Sequence, residues 1–292
     1  MFDCSIQAWP DKGNKVKLPE GVVLLDSLGD LKPGNTSPIL VCGSHCGGNR
    51  DLAGHVKNCH VKAVFLNNAG VGKNQAGIRG LTHYEAENVL ACAVDNYSAE
   101  IGIACDTYES GIISHTSTQT DTIGIQIGDS VKEAIAKIIS HRSPAQQAED
   151  FEALDKKEKN NKESLKKQTR THIDGVCITV TDSITFLNES NSGDIVVCGS
   201  HGGLSAGNYA KKYRVKAVFF NDAGIGKNNA GVKSLESLND AGILACTVDC
   251  MSAEIFNGQD VLDHGIISVC NQLAKNRGIK EKLTVKEAIK YI

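Results

Sequence analysis

The feature that most restricts what this chain can fold into is that it contains one sequence twice. Ile39-Leu40-Val41-Cys42-Gly43-Ser44-His45 recurs as Ile195-Val196-Val197-Cys198-Gly199-Ser200-His201, an offset of 200 − 44 = 156. Farther on the offset becomes 227 − 73 = 154, so two extra residues sit in the first copy between Cys46 and His60. Asn67-Asn68-Ala69-Gly70-Val71-Gly72-Lys73-Asn74 is answered by Asn221-Asp222-Ala223-Gly224-Ile225-Gly226-Lys227-Asn228. Ser98-Ala99-Glu100-Ile101 is answered by Ser252-Ala253-Glu254-Ile255, and Gly111-Ile112-Ile113-Ser114 by Gly265-Ile266-Ile267-Ser268. Roughly half of these positions are identical, far above chance, so the chain is a tandem duplication of one structural unit. Ser130-Val131-Lys132-Glu133 and Thr284-Val285-Lys286-Glu287 read as capping boxes, which closes each copy with a short helix.

In each copy short apolar runs alternate with glycine-punctuated polar or amphipathic stretches. The runs are 22–25, 39–42, 63–66 and 90–94, answered by 177–180, 195–198, 217–220 and 244–248. Near-continuous Val, Ile and Phe without a polar alternation is the pattern of strands covered on both faces, which favours a parallel sheet. Stretches such as 205–213 and 229–239 are long enough for two or three helical turns. The expected fold is α/β: two homologous, pseudo-twofold related tandem units, each a mostly parallel sheet flanked by helices in a three-layer α/β/α sandwich. Residues 1–140 form the first repeat unit and 174–292 the second. Between them 141–173 has little apolar periodicity and is dense in both charge signs, and reads as a helical or flexible connector of about 30 residues.

Composition excludes more than it identifies. A hydrophobic content of 41%, a charged content of 22% and a net charge of -3 give no basic surface for nucleic acid. No apolar stretch is long enough to cross a bilayer, and Met1 to Ser5 shows no basic segment followed by an apolar run, so the expectation is a soluble cytoplasmic protein. Homo-oligomerisation is left open. The 11 cysteines in a chain of 292 residues are too sparse for a disulfide scaffold, and several end strand-like runs as small buried hydrophobes. Cys46, Cys59 and His60 occur only in the first copy, but without any Cys-x-x-Cys pair they match no zinc spacing, so no metal is expected. No Gly-x-Gly-x-x-Gly follows the first strand, which argues against a nicotinamide cofactor; no organic cofactor is expected.

Polar motifs follow nearly every expected strand: Asp182-Ser183, then Ser200-His201-Gly202-Gly203, then Asn221-Asp222-Ala223-Gly224-Ile225-Gly226-Lys227, then Asp249 with Ser252 and Glu254. Strand C-termini of a parallel sheet share one edge, where open α/β proteins bind ligands, so these residues should converge. Gly202 and Gly203 could present helix N-terminal amides to a phosphate or carboxylate. Ser200 could be a nucleophile with His201 or Lys227 as its base, although Cys198 stands where a nucleophile elbow needs glycine. The turn around Lys227 is no Walker A loop, because Asn221 and Asn228 occupy the places of its first Gly and its hydroxyl residue. A lysine beside Asp222 still suits an anion clamp or a base. The plain alternatives are a helix cap at Ser200, a surface turn at Lys227, a helix-end carboxylate at Glu254 and structural roles for the lone His115 and His264.

These residues point to a cofactor-independent enzyme acting on a small anionic or amide-bearing metabolite. Its catalytic candidates are Ser200, His201, Asp222 and Lys227. Gly202, Gly203, Asn221, Gly224, Gly226, Ser252, Glu254 and the first copy's Ser44, His45 and Lys73 would bind substrate. Hydrolysis leads, with lyase or isomerase steps open to the same groups. The alternative class is a non-catalytic protein that binds or senses an anion or phosphometabolite; a scaffold with incidental glycine turns is the third. The copies differ at Asn68 against Asp222, Cys46 against Gly202 and His115 against Val269. That divergence favours the second copy for acid–base work, with a composite of both as the other arrangement.

Overall fold

The computed structural model describes residues 6–8, 15–32, 37–141 and 168–292. The chain forms two compact units, one of Met1–Asn68 with Ile78–Lys162 and the other of Ala69–Gly77 with Glu163–Ile292. Besides a small antiparallel pair, β1 (Ile6–Ala8) and β2 (Lys15–Lys17), the first unit holds a sheet of β3 (Val22–Leu25), β4 (Ile39–His45), β5 (Ala63–Asn67), β6 (Leu90–Val94) and β7 (Ile113–Thr116), in that order. Strands β3 to β6 run parallel and β7 is antiparallel. In the second unit β8 (Gln168–Ile173) pairs antiparallel with β9 (Val176–Thr181). There follow β10 (Ile195–His201), β11 (Ala217–Asn221) and β12 (Leu244–Val248), all parallel, and the antiparallel β13 (Ile267–Cys270).

The unbroken apolar runs have a simple cause: alternate residues of one strand feed two different cores. Val41 and Phe65 face the helices Ala104–Ser110 and Val131–His141, while Leu40, Cys42, Val64 and Leu66 face Arg50–Asn58 and Gly80–Ala86. In the second unit Val197 and Phe219 pack with Val261, Leu262 and Val285, and Val196, Val218 and Phe220 with Ala206, Ala210 and Leu235. Phe65, Phe219 and Phe220 are fully buried. Truncating any one of them to Ala should cost about 3–5 kcal/mol.

Three sequence expectations are revised. The antiparallel edge strands β7 and β13 are not among the expected apolar runs; they are only four residues long and are interrupted by polar residues, Ser114 and His115 in β7 and Ser268 in β13. The expected connector ends earlier than 173, because Gln168–Ile173 is the edge strand β8, whose polar, charged composition suits an edge and hid it from a hydrophobic reading. Residues 142–167 lie outside the described residues. The expected helix over 229–239 begins late: Asn228 and Asn229 take left-handed angles (φ 52° and 57°) in the turn Lys227–Val232, and the helix is Ser234–Asp240. Both expected capping boxes form, Ser130 with Glu133 and Thr284 with Glu287.

The copies also differ in how they end their last strand. Asn271 caps the helix Gln272–Asn276 by accepting the Ala274 amide at 3.0 Å, and donates to the Ile243 carbonyl at 2.8 Å. Ser117 stands at the matching place in the first copy, and its buried hydroxyl makes no hydrogen bond among the described residues. Asn271→Ser should therefore lower the stability of the second unit by about 1–2 kcal/mol. A lower urea midpoint at unchanged m is the expected readout, and an unmoved midpoint would refute the assignment.

Candidate functional site

Ser200 and His201 close β10, and His201 lies in register with Asn221 at the end of β11. Each is occupied by backbone. The Ser200 hydroxyl accepts the Ile184 amide at 2.9 Å and bonds the Cys198 thiol. His201 Nδ1 accepts the Gly203 amide at 3.0 Å, which fixes that nitrogen as the unprotonated one. In the first unit Ser44 takes the Leu28 amide at 2.9 Å in the same way. Burial pushes His45 down, to about 4, against a bond with the Gly47 backbone that opposes the shift. The expectation that Gly202 and Gly203 offer open amides is not met. Gly202 donates to the Asn221 carbonyl at 3.0 Å and Gly203 to His201, so neither amide is left to cradle an anion. Gly202 is a packing glycine: a Cβ there would lie 2.7 Å from Thr247 Cγ2 and 2.8 Å from the Gly231 carbonyl.

Asn221 is fully buried and bridges two loops, donating to the Ala253 carbonyl at 2.9 Å and accepting the Ala223 amide at 2.9 Å. Beside it Asp222 is 4% exposed. Its Oδ1 accepts the amides of Gly224 (2.9 Å) and Cys250 (3.0 Å), and Ser268 bonds the carboxylate. Desolvation outweighs these bonds and holds the carboxyl above its ordinary value. Ala223, Gly224, Ile225 and Gly226 all have φ between 51° and 69°, and Lys227, half-buried, opens the turn that follows. Left-handed φ at a β-branched residue is rare and costs roughly 1–2 kcal/mol, so Ile225 is held there by its surroundings. Ser252 is committed to its turn, donating to the Asp249 carbonyl at 2.7 Å and accepting the Ile266 amide at 3.0 Å.

Nine residues of the first repeat, Ala69–Gly77, belong to the second compact unit. A Cβ on Gly70 would lie 2.9 Å from Gly224 Cα, so the two matching turns pass backbone to backbone. Lys73 donates to both oxygens of Asp260 at 2.9 Å, and its amide donates to the Cys250 carbonyl at 2.8 Å. Asp260 also accepts the Glu254 amide at 2.7 Å and meets His264 Nδ1 at 2.6 Å. Glu254 takes the Asn74 side-chain amide at 2.8 Å. His264, which reads as a lone histidine in the sequence, is thus half of an Asp–His pair. Asp260 was missed altogether, although its recurrence as Asp106 at the offset of 154 was a visible signal. In the first unit Asp106 meets Ser110 where the second has His264. His115 Nδ1 lies 3.0 Å from the Ser114 hydroxyl, and burial pushes its imidazole down.

Among the described residues, one group of three His, Cys, Asp or Glu side chains comes close enough to share a cation: Asp222, Asp249 and Cys250, with ligand atoms within 4.8 Å of one another. Cys46, Cys59 and His60 form no such group. Cys46 and Cys59 are buried core residues, and Cys59 Sγ lies 4.0 Å from His55 Nε2. Among the described residues no helix is long and apolar enough to cross a membrane. Compared with family models, curated proteins and solved structures, the chain matches none.

The Lys73–Asp260 pair has a pH signature. Desolvation alone would raise Asp260, but Lys73, the Glu254 amide and His264 together hold it below its ordinary value. A depressed acid stabilises the fold above its unfolded value of ~3.9 and loses that contribution as pH falls through the lower folded value. Asp260→Asn should cost about 2 kcal/mol at pH 7 and less at a pH below the unfolded value of ~3.9, the gap to wild type narrowing as pH falls. Urea midpoints of the two proteins at both pH values check this; a gap independent of pH contradicts it.

Proposed function

We propose that the second unit is an enzyme acting on a small anionic or amide-bearing metabolite without an organic cofactor, with Asp222 as the group that gives and takes the proton. The observation that carries this reading is the comparison with Asn68. Asn68 Oδ1 accepts the Asn96 amide at 3.1 Å and its Nδ2 donates to Ser114 at 3.0 Å, the counterparts of the Asp222 bonds to Cys250 and Ser268. An amide side chain therefore does the structural work at this place without burying an ionisable group. Burying a carboxyl is costly, and a carboxyl held above its ordinary value at the ligand-binding edge of a parallel sheet is suited to proton transfer nearer neutrality. Lys227, five residues on, supplies a positive charge for an anionic substrate, and Ser200 and His201 hold the strand ends that frame the site. Hydrolysis is the first reaction class, with lyase and isomerase steps open to the same carboxyl.

A second reading, a binding or sensing protein, draws support from Ser200: its hydroxyl is engaged at 2.9 Å with a backbone amide, which argues against a ready nucleophile. Asp222→Asn separates the two, because it installs the first unit's own residue. A panel of esters, amides, cyclic amides and phosphoesters turned over by wild type should be turned over at least ~100-fold more slowly by the variant. The variant should also be the more stable protein at neutral pH. A raised acid favours folding when protonated and opposes it as pH climbs through the folded value, so the variant's advantage should vanish below about pH 4. Equal turnover in both proteins would sink the catalytic role. Thermal shifts with the same panel and no turnover would favour binding.

A further inference from the structure

Cys246 is the central residue of β12 and Cys270 the last of β13, and the two are direct partners in the antiparallel register. Asn271 donates its amide to the Ala245 carbonyl at 2.9 Å. The hydrogen-bonded pair is thus Ala245 with Asn271, which leaves Cys246 and Cys270 at the adjoining non-hydrogen-bonded position, where facing side chains come closest. The Cys246 thiol donates to the Cys270 sulfur with an Sγ–Sγ separation of 3.6 Å, and both are free thiols. Disulfide closure needs an approach of only about 1.5 Å between sulfurs already opposite each other. At the matching place in the first unit Cys92 faces Thr116 in the same register.

We propose that Cys246 and Cys270 are a redox-modified pair that closes to an intramolecular disulfide when the protein meets a peroxide. Cys270 is the attacking sulfur: it is 4% exposed against 0% for Cys246, and it accepts the hydrogen bond that favours a thiolate. Having lost its proton, it attacks one peroxide oxygen and breaks the O–O bond, giving a sulfenic acid and hydroxide, which takes up that proton as water. The Cys246 sulfur then attacks the sulfenic sulfur and the S–O bond breaks; the departing hydroxide carries off the Cys246 proton as a second water. Two thiols lose two electrons and one peroxide gains them. The bond staples β13 to β12 and closes the intervening segment, which carries Asp249, Glu254, Asp260 and His264. This inference is independent of the enzymatic reading.

The test is a thiol count and linkage map of the full chain after exposure to hydrogen peroxide, with alkylation under denaturing conditions. Wild type should fall from the 11 thiols of the sequence by two, yield a peptide joining Cys246 to Cys270, and recover on treatment with dithiothreitol. Cys270→Thr, which installs the first unit's residue, should lose no thiol pair under the same exposure; circular dichroism checks its fold. Retention of all thiols in wild type overturns the proposal whether or not the variant folds. So does a bridge through the exposed Cys177 in place of the Cys246–Cys270 link.

Discussion

A parallel sheet covered on both faces leaves the backbone groups beyond its strand ends without ladder partners. Side chains must supply the missing bonds. In the second unit Ser200 takes the Ile184 amide, Asp182 the Gly258 amide and Asn221 the Ala223 amide, and Asn221 donates to the Ala253 carbonyl. In the first unit Ser44, Asp26 and Asn67 answer Leu28, Ala104 and Ala99. Most of the polar motif shared by the two copies is thereby explained. Each of these residues closes a backbone group beyond a strand end.

That same requirement marks the places where the copies were free to part. Asn and Asp have one shape, so the site of Asn68 and Asp222 could change chemistry while keeping its bonds. The cost of the change is a desolvated carboxyl, and an acid group just beyond the C-terminal end of β11 is what the second unit gains from it. The pair Ser110 and His264 is a second such divergence, with Asp106 or Asp260 retained beneath it. Around these positions the backbone is unusually constrained. Val71 and Ile225 sit at φ 63° in matching turns, and Gly70 and Gly224 touch where no side chain would fit. Strain of this kind persists where the neighbouring contacts over-determine it.

Much of the architecture was legible in the sequence, and particular residues explain where legibility stopped. Doubly buried strands announce themselves because both faces reject polar groups, so 39–42 and 195–198 read as strands without ambiguity. The edge strand Gln168–Ile173 did not, since one side of an edge faces solvent and Thr, Arg and His serve there. Ser200 and His201 were visible as a motif, but a motif does not disclose which atom a hydroxyl or imidazole bonds. A catalytic dyad and a pair of backbone caps have the same spelling.

By itself, then, the sequence determined the duplication, the α/β alternation, the parallel core and the edge at which the polar residues gather, because periodicity and identity at a fixed offset are properties of the chain alone. Only the tertiary structure decided what those residues do. Asp260 receives Lys73 across a sequence separation of 187, Cys250 lends its amide to Asp222, and Cys270 is brought opposite Cys246. The physical reason is that a hydrogen bond or a thiol contact depends on distances of a few ångströms. Those are set by how strands register and turns are strained, not by how far apart the residues stand in the chain.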